Sequence, residues 1–149
     1  MRLIFLFLFC TISIYSLPYT DNGDGTILDQ KTNLVWQKCS QGQDEKTCEG
    51  EATQTNWMQA NVYCGQLILA GKKWRLPKRE EILGLLDVSI KADSKIDPTA
   101  FPNTSAYRFW SSTVYDKNPS VMWTTHFYYG DEKRTKKTEK GYAKCVMNK

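Results

Sequence analysis

Residues 74–87 read WRLPKREEILGLLD and mark the start of a helix. An aromatic residue and a cation precede Leu-Pro, and Glu80 and Glu81 then occupy the first turn, where the helix dipole favours anions. The spacing i, i+3, i+4, i+7 falls on Ile82, Leu85, Leu86 and Ser89. The stretch therefore predicts a helix that begins after Pro77 and turns this face toward the core.

The sequence upstream of this helix predicts a hairpin and another helix. Residues 21–39, DNGDGTILDQKTNLVWQKC, place short apolar pieces between turn residues, as in a β-hairpin. Gly23 and Gly25 stand where a calcium loop needs oxygen ligands, so DNGDG is interpreted as a turn. Residues 55–71, TNWMQANVYCGQLILAG, predict a helix that Gly71 ends. Its apolar positions are Trp57, Ala60, Val62, Cys64 and Leu67.

The sequence downstream of residue 96 predicts loop and then strands. Residues 96–120 are rich in Pro, Ser, Thr and aromatic residues, which predicts an ordered loop with short extended pieces. Residues 121–130, VMWTTHFYYG, alternate like a strand, and a turn with a basic connecting segment leads to a closing strand in 141–147. The apolar face would hold Val121, Trp123, Thr125 and Phe127. Helices first and strands after indicate an α+β domain.

The N-terminus indicates export. A basic residue precedes an apolar run too short to span a bilayer, and small Ser16 follows it. We interpret residues 1–16 as a signal peptide and residues 17–149 as a single domain without a membrane span. An uncleaved anchor and lipidation at Cys10 are the alternatives. We expect a periplasmic, cell-surface or extracellular location.

The four remaining cysteines, Cys39, Cys48, Cys64 and Cys145, form an even set in an exported chain. They predict two disulfides, for which three pairings exist. A bridge between Cys39 and Cys48 would close a small polar loop. A zinc site is the alternative, but the sequence has no C-x-x-C pair and His126 is its only histidine. We therefore expect no metal and no cofactor.

The net charge of +4 comes from a C-terminal segment, KRTKKTEKGYAK. We define its cations Lys133, Arg134, Lys136 and Lys137 as the basic strip. Such a strip is typical of a surface that meets anionic polysaccharide, lipid head groups or nucleic acid. The alternative is an exposed edge strand, on which lysines discourage aggregation. We expect no nucleic-acid partner.

Six segments in order resemble the Lcl C-terminal domain family of bacterial secreted and surface proteins. They are DNGDGTILDQKTNLVWQ, NWMQANVYC, WRLPKREEILGLLD, IDPTAFPNT, FWSSTVYDKNPSVMWTTHF and YAKCV. The resemblance implies a variant of the C-type-lectin-like fold, with two helices, an antiparallel sheet, adjoining terminal strands and long ordered loops. It also implies that Cys64 pairs with Cys145, which leaves Cys39 with Cys48.

Family members commonly follow Trp-Arg-Leu-Pro with a Thr that caps the helix, whereas this chain has Lys78 there. The N-cap oxygen is therefore expected to be missing although Glu81 remains. In this setting we expect a structural role for Arg75, packed and hydrogen bonded at a sheet edge. The residues assigned to the structural motif are Trp74, Arg75, Leu76, Pro77, Trp110, Ser111 and Ser112.

The sequence favours a binding module over an enzyme. Ser111, Ser112 and His126 are the only attractive catalytic groups, and no G-x-S-x-G motif occurs. The sequences with which lectins hold calcium are also absent. What remains is a set of aromatic residues near the basic strip: Tyr107, Trp110, Tyr115, Tyr128 and Tyr129. We expect Trp110 to lie in the core, and Trp123 with it.

The predicted function is an adhesin-like module that binds an anionic polysaccharide or host matrix. The predicted ligand contacts are the basic strip with Tyr128 and Tyr129. A domain that binds another envelope or host protein is the first alternative, and an undetected enzyme is the second.

Overall fold

The computed structural model describes residues 18–149, which form seven strands and two helices. In chain order they are β1 (Tyr19–Asp21), β2 (Thr26–Asp29), β3 (Leu34–Gln37), α1 (Trp57–Gln66), α2 (Arg79–Leu83), β4 (Arg108–Tyr115), β5 (Asn118–His126), β6 (Asp131–Lys136) and β7 (Val146–Asn148). This order confirms the α+β class. The predicted signal peptide and Cys10 lie outside the described residues. The lectin-like fold label stays a prediction.

The strands form two antiparallel sheets rather than one. The first has the order β1-β2-β3-β7, and the second has the order β4-β5-β6. The predicted N-terminal hairpin is β2 and β3, in which Thr26 lies opposite Gln37. The DNGDG segment is the turn between β1 and β2, where Gly25 has a φ of 87°. A Cβ there would lie 2.7 Å from the carbonyl oxygen of Glu45, so the turn requires glycine.

The disulfides are Cys64–Cys145 and Cys39–Cys48, which confirms the pairing that the resemblance implied. The first joins α1 to the segment before β7. The second closes the polar loop after β3.

Residues 141–148 lie between the two sheets and bond to both. The main chain of Tyr142 donates to Arg108 of β4 at 2.9 Å and accepts from Trp110 at 3.0 Å. Farther along, the N–H of Gln37 donates to the carbonyl oxygen of Cys145 at 2.9 Å. This segment therefore fixes the position of one sheet against the other.

Core side chains cover both faces of β4 near its N-terminal end. The neighbouring β4 residues Phe109 and Trp110 are both fully buried, although adjacent strand residues face opposite sides. Phe109 packs in a cluster with Trp36 and Phe127, whereas Trp110 packs in another with Cys64. The expectation that Trp110 is a core residue is confirmed.

The prediction of loop over residues 96–120 is wrong from residue 108 onward, where β4 and the start of β5 lie. Both faces of β4 are covered at Phe109 and Trp110, whereas Ser112 and Val114 are exposed, so its sequence does not alternate between apolar and polar residues. Its hydroxyl residues are satisfied inside the fold, as where Ser111 Oγ donates to the Trp123 carbonyl at 2.7 Å. The predicted basic connecting segment is likewise a strand, β6.

The predicted apolar face of β5 is right in one half and wrong in the other. Thr125 and, just past the strand, Phe127 are buried as predicted. Met122, Thr124 and His126 are buried on the opposite face.

Trp123 is only partly buried and lies outside both core clusters. The guanidinium carbon of Arg79 lies 3.7 Å from the centre of the Trp123 ring. Trp123 is therefore covered by a cation rather than by core side chains.

Both helices are shorter than predicted. Helix α2 ends before Gly84, and Ser89 is exposed in a turn where the Asp87 carboxylate accepts its N–H at 3.0 Å. The Asp side chain thus supplies a bond that competes with a continued helix. Helix α1 ends at Gln66, before Gly71, and Val62 is exposed rather than core-facing.

A neighbouring strand supplies the N-terminal cap that the sequence of α2 lacks. Lys78 provides no side-chain acceptor, and the Glu81 carboxylate accepts the Lys78 N–H at 2.7 Å. The N–H of Arg79 donates to Oγ1 of Thr113 on β4 at 2.9 Å. The hydroxyl of Thr113 therefore accepts a hydrogen bond from the N-terminal turn of α2, in place of the missing N-cap oxygen.

Arg75 holds this helix to β7. Its guanidinium makes two bonds to the Glu81 carboxylate, at 2.7 and 2.8 Å, and a third to Asn148 at 3.1 Å. Its main chain exchanges hydrogen bonds with Val146. The geometry is that of a bidentate structural ion pair, as expected for Arg75.

Lys144 is fully buried between the two sheets. Its Nζ donates to the carbonyl oxygens of Lys38 and Gln37, at 2.8 and 3.4 Å, and lies 5.1 Å from the centre of the Phe101 ring. Burial lowers the pKa of Lys144 to about 7. A neutral amine retains two N–H groups, which suffice for these two carbonyl oxygens.

We expect removal of the Cys64–Cys145 bridge to cost more stability than removal of Cys39–Cys48. The long bridge spans 81 residues and the short one 9. In the chain-entropy model the two contribute about 4 to 5 kcal/mol and a little under about 3 kcal/mol. Urea unfolding of the paired Cys→Ala variants measures both losses. Equal losses would contradict the expectation.

We also expect the free energy of unfolding to rise with pH between about 7 and 9.5. The unfolded chain, with a lysine pKa of about 10.4, binds more protons there than the folded chain. The slope from one group is at most about 1.4 kcal/mol per pH unit. Urea unfolding at several pH values should show this rise in the wild type and in Lys140→Met, an exposed control, but not in Lys144→Met.

Candidate ligand-binding site

An open cleft of about 340 Å³ lies where the loop before β4 meets the turn between β5 and β6. We call it the tyrosine cleft. Its lining consists of Ser105, Ala106, Tyr107, His126, Tyr128 and Tyr129. Its volume lies within the range of small-molecule sites.

The turn between β5 and β6 presents two tyrosines to solvent. His126 and Asp131 are the last paired residues of the two strands, and buried Phe127 anchors the turn in the core. The N–H of Tyr128 donates to the Ala106 carbonyl at 2.7 Å, which fixes the turn against the opposite wall of the cleft. The side chains of Tyr128 and Tyr129 remain 52% and 65% exposed.

Four aromatic rings follow one another around the cleft. The ring centres of Tyr107 and His126 are 5.0 Å apart, and those of His126 and Tyr129 are 4.6 Å apart. Tyr128 meets Tyr129 edge-on at 5.2 Å. These contacts hold the rings in place while leaving tyrosine surface open to a ligand.

His126 lies at the base of the cleft and is 8% exposed. Neither its Nδ1 nor Oδ1 of the cross-strand neighbour Asp131 has a hydrogen-bond partner within residues 18–149. Burial lowers the pKa of His126; the Asp131 carboxylate opposes this shift, and the cations Arg108 and Lys133 reinforce it.

Two cations flank the cleft. The guanidinium carbon of Arg108 lies 4.8 Å from the Tyr107 ring centre, and Arg108 also binds Glu139 at 2.8 Å. The Lys133 Nζ lies 5.6 Å from the Tyr129 ring centre and 2.8 Å from the Asp131 carboxylate. Each cation thus sits between a carboxylate and a tyrosine ring.

The basic strip does not form a single surface. Strand residues alternate between faces, and Lys133 and Arg134 lie opposite Thr124 and Trp123, respectively. Arg134 therefore faces away from the cleft and lies 5.2 Å from the Tyr115 ring centre. Lys136 shares that outer face, whereas Lys137 follows β6 and lies 4.6 Å from the ring centre of Trp57.

Only part of the predicted contact set meets at the cleft. Lys133, Tyr128 and Tyr129 are there, whereas Arg134, Lys136 and Lys137 are directed elsewhere. His126 alternates onto the face opposite the predicted apolar face of β5, yet it is buried at the base of the cleft. Ser105 and Ala106 are not among the predicted ligand contacts, because nothing in the sequence links their loop to the β5–β6 turn.

The serines considered for catalysis serve the fold. Ser111 Oγ donates to the Trp123 carbonyl, and Ser112 Oγ donates to the Pro77 carbonyl at 3.2 Å. Across residues 18–149, no group of three or more His, Cys, Asp or Glu side chains is placed to hold a metal ion. The same residues include no helix that is long and apolar enough to cross a membrane.

Comparison with known proteins gives one finding. Residues 25–147 match the model of the Lcl C-terminal domain. The match includes both disulfides and the whole tyrosine cleft. No curated protein matches the chain.

We expect the pKa of His126 to lie below about 6.5, the value of a free imidazole. Because the chain has one histidine, the proton on its Cε1 gives a single signal in a proton NMR titration of residues 17–149. Asp131→Asn should lower the pKa further, since it removes the carboxylate that opposes the shift. Asp116→Asn, on another turn, is the control. A pKa above that of free imidazole would contradict the burial argument.

Proposed function

Because residues 25–147 match that model, the chain belongs to the Lcl C-terminal domain family, and we propose that it is a ligand-binding module whose tyrosine cleft takes a carbohydrate. Membership of this family indicates a bacterial domain and does not identify its ligand. The observation that supports a carbohydrate is the ring of tyrosines that remains exposed around one cleft. Flat tyrosine surface and nearby polar groups suit the alternating apolar and hydroxylated faces of a sugar.

The flanking cations extend this proposal to anionic glycans and to an adhesin-like role. Arg108 and Lys133 lie beside the tyrosines, where they are placed to attract sulfate or carboxylate groups on a sugar chain. Both cations already have a carboxylate partner, so their electrostatic contribution is partly compensated. The stacking surface is thus the main contributor, and charge is secondary.

We propose an exported location and no catalytic role. Two disulfides are typical of periplasmic, surface and extracellular proteins. The hydroxyls of Ser111 and Ser112 are engaged by main-chain carbonyls, so we propose neither as a nucleophile.

The test is retention of the oxidised mature chain on immobilised heparin across a salt gradient, followed by affinity measurements. We expect Tyr129→Ala to weaken binding by about tenfold, or about 1.4 kcal/mol, because a stacking surface is lost. Lys133→Gln should lower the salt concentration at elution. Lys136→Gln makes the same change in charge on the opposite face of β6 and should leave elution nearly unchanged.

Two results would overturn the proposal. One is flow-through of the wild type at low salt together with no binding to any glycan tested. The other is equal loss of retention in Lys133→Gln and Lys136→Gln with no effect of Tyr129→Ala, which would indicate unspecific attraction by charge. Binding of another envelope protein that Tyr129→Ala abolishes, in the absence of glycan binding, would support the assembly alternative.

A further inference from the structure

The second sheet has one covered edge and one open edge. Strand β4 lies at the covered edge, where the main chain of Tyr142 bonds to Arg108 and Trp110. Strand β6 lies at the other edge, and within residues 18–149 no strand pairs with its outer side. The sheet thus holds an extended segment of its own chain at β4 and has room for another strand at β6.

The register of β6 determines which of its main-chain groups point outward. Just past the strand, the N–H of Lys137 donates to the carbonyl oxygen of Ser120 on β5 at 2.9 Å. Bonded positions alternate along an antiparallel ladder, so Glu132 and Arg134 direct their N–H and C=O groups away from β5. No turn, loop or side chain of the described residues bonds to these four groups. The edge therefore offers two donors and two acceptors at the spacing of a strand.

The open edge is short and has a defined end. At Lys136, the next outward-directed residue, the N–H donates to the Glu139 carboxylate at 3.0 Å and the carbonyl oxygen accepts the Glu139 N–H at 2.9 Å. These bonds close the edge after residue 135. A partner segment that pairs with β6 is therefore short as well.

The open edge is positively charged. Its two carboxylates, on Asp131 and Glu132, already have cation partners. Arg134 and Lys136 are exposed and form no ion pair with any residue from 18 to 149. Two copies of the chain would bring these cations against one another, which disfavours pairing of β6 with itself. A segment that carries carboxylates has the opposite preference.

The Arg134 side chain is held on the face of β6 that turns away from the tyrosine cleft. It lies opposite Trp123 in the register, and its Nη1 donates to the Tyr115 hydroxyl at 3.2 Å. Its other guanidinium N–H groups form no hydrogen bond with the described part of the chain. A carboxylate on a neighbouring strand would meet these donors in the geometry that arginine favours.

We propose that β6 binds an extended acidic segment of a partner protein, which adds to the second sheet as a fourth strand. Main-chain bonds to Glu132 and Arg134 set the register of the added strand. Carboxylates beside Arg134 and Lys136 make the edge selective for acidic segments. The edge includes no residue that lines the tyrosine cleft, so this surface does not depend on the proposed carbohydrate binding.

The probe is a short synthetic peptide that alternates valine with glutamate, so that its carboxylates share one face of a strand. It is added to oxidised residues 17–149, and hydrogen exchange is followed amide by amide with NMR. The amides of Glu132 and Arg134 should exchange about tenfold more slowly with peptide than without it. The amides of Lys133 and Thr135 already bond to β5 and should change little.

Two N-methylated versions of the peptide separate strand addition from attraction by charge. Both keep every carboxylate, but one lacks the N–H groups of the glutamates and the other lacks those of the valines. With a glutamate opposite Arg134, only the glutamate N–H groups face β6. Methylation of the glutamates should therefore weaken binding by about tenfold or more, and methylation of the valines should have little effect.

Variants of the protein test the charge and the location. Arg134→Gln should weaken peptide binding by about threefold, because a cross-strand ion pair is lost. Lys31→Gln removes the same charge from an exposed lysine in the turn between β2 and β3 and is the matched control. Tyr129→Ala, which alters the tyrosine cleft, should leave peptide binding unchanged.

Several results would contradict strand addition. Equal binding of both methylated peptides, or equal weakening in Arg134→Gln and Lys31→Gln, would indicate unspecific attraction by charge. Absence of protection at the two outward amides with peptide at about 1 mM would show that the edge takes no strand. Loss of peptide binding in Tyr129→Ala would place the peptide in the cleft instead. Slower exchange of the two amides with heparin, but not with peptide, would assign the edge to a glycan.

Discussion

The position of residues 141–148 between the two sheets is the constraint on which the structure depends. Neither sheet is large, and the main-chain bonds from this segment to β3 and β4 join them. The Cys64–Cys145 bridge then secures α1 to the same segment, and Arg75 secures α2 to β7. Both helices are thus anchored to one short stretch near the C-terminus.

The tyrosine cleft and the loop closed by Cys39–Cys48 are held in different ways. The tyrosine cleft depends on the turn between β5 and β6. Buried Phe127 and the main-chain hydrogen bond to Ala106 hold this turn, so the tyrosine rings are not needed to anchor it. The loop between Cys39 and Cys48 has little apolar core of its own and is held by its disulfide and by the buried amide of Gln43. Apolar packing thus supports the cleft, and covalent and polar contacts support the loop.

Local patterns predicted the hairpin, the two helices and the four bridged cysteines, because turn residues, helical spacing and an even cysteine count are visible in the sequence. Strand β4 was missed because core covers both faces of its first half and its serines bond within the fold. The division of the basic strip depends on the register between β5 and β6, which no local pattern contains. The two walls of the cleft are distant in sequence, so their meeting required the tertiary structure.

The cap that Thr113 supplies makes α2 depend on the sheet beside it. A helix of five residues is far shorter than one that is stable alone in water, and its own sequence lacks the N-cap oxygen. Its first N–H group finds an acceptor on β4 instead, 34 residues away along the chain. The stability of α2 is therefore a property of the tertiary structure rather than of the WRLP stretch alone.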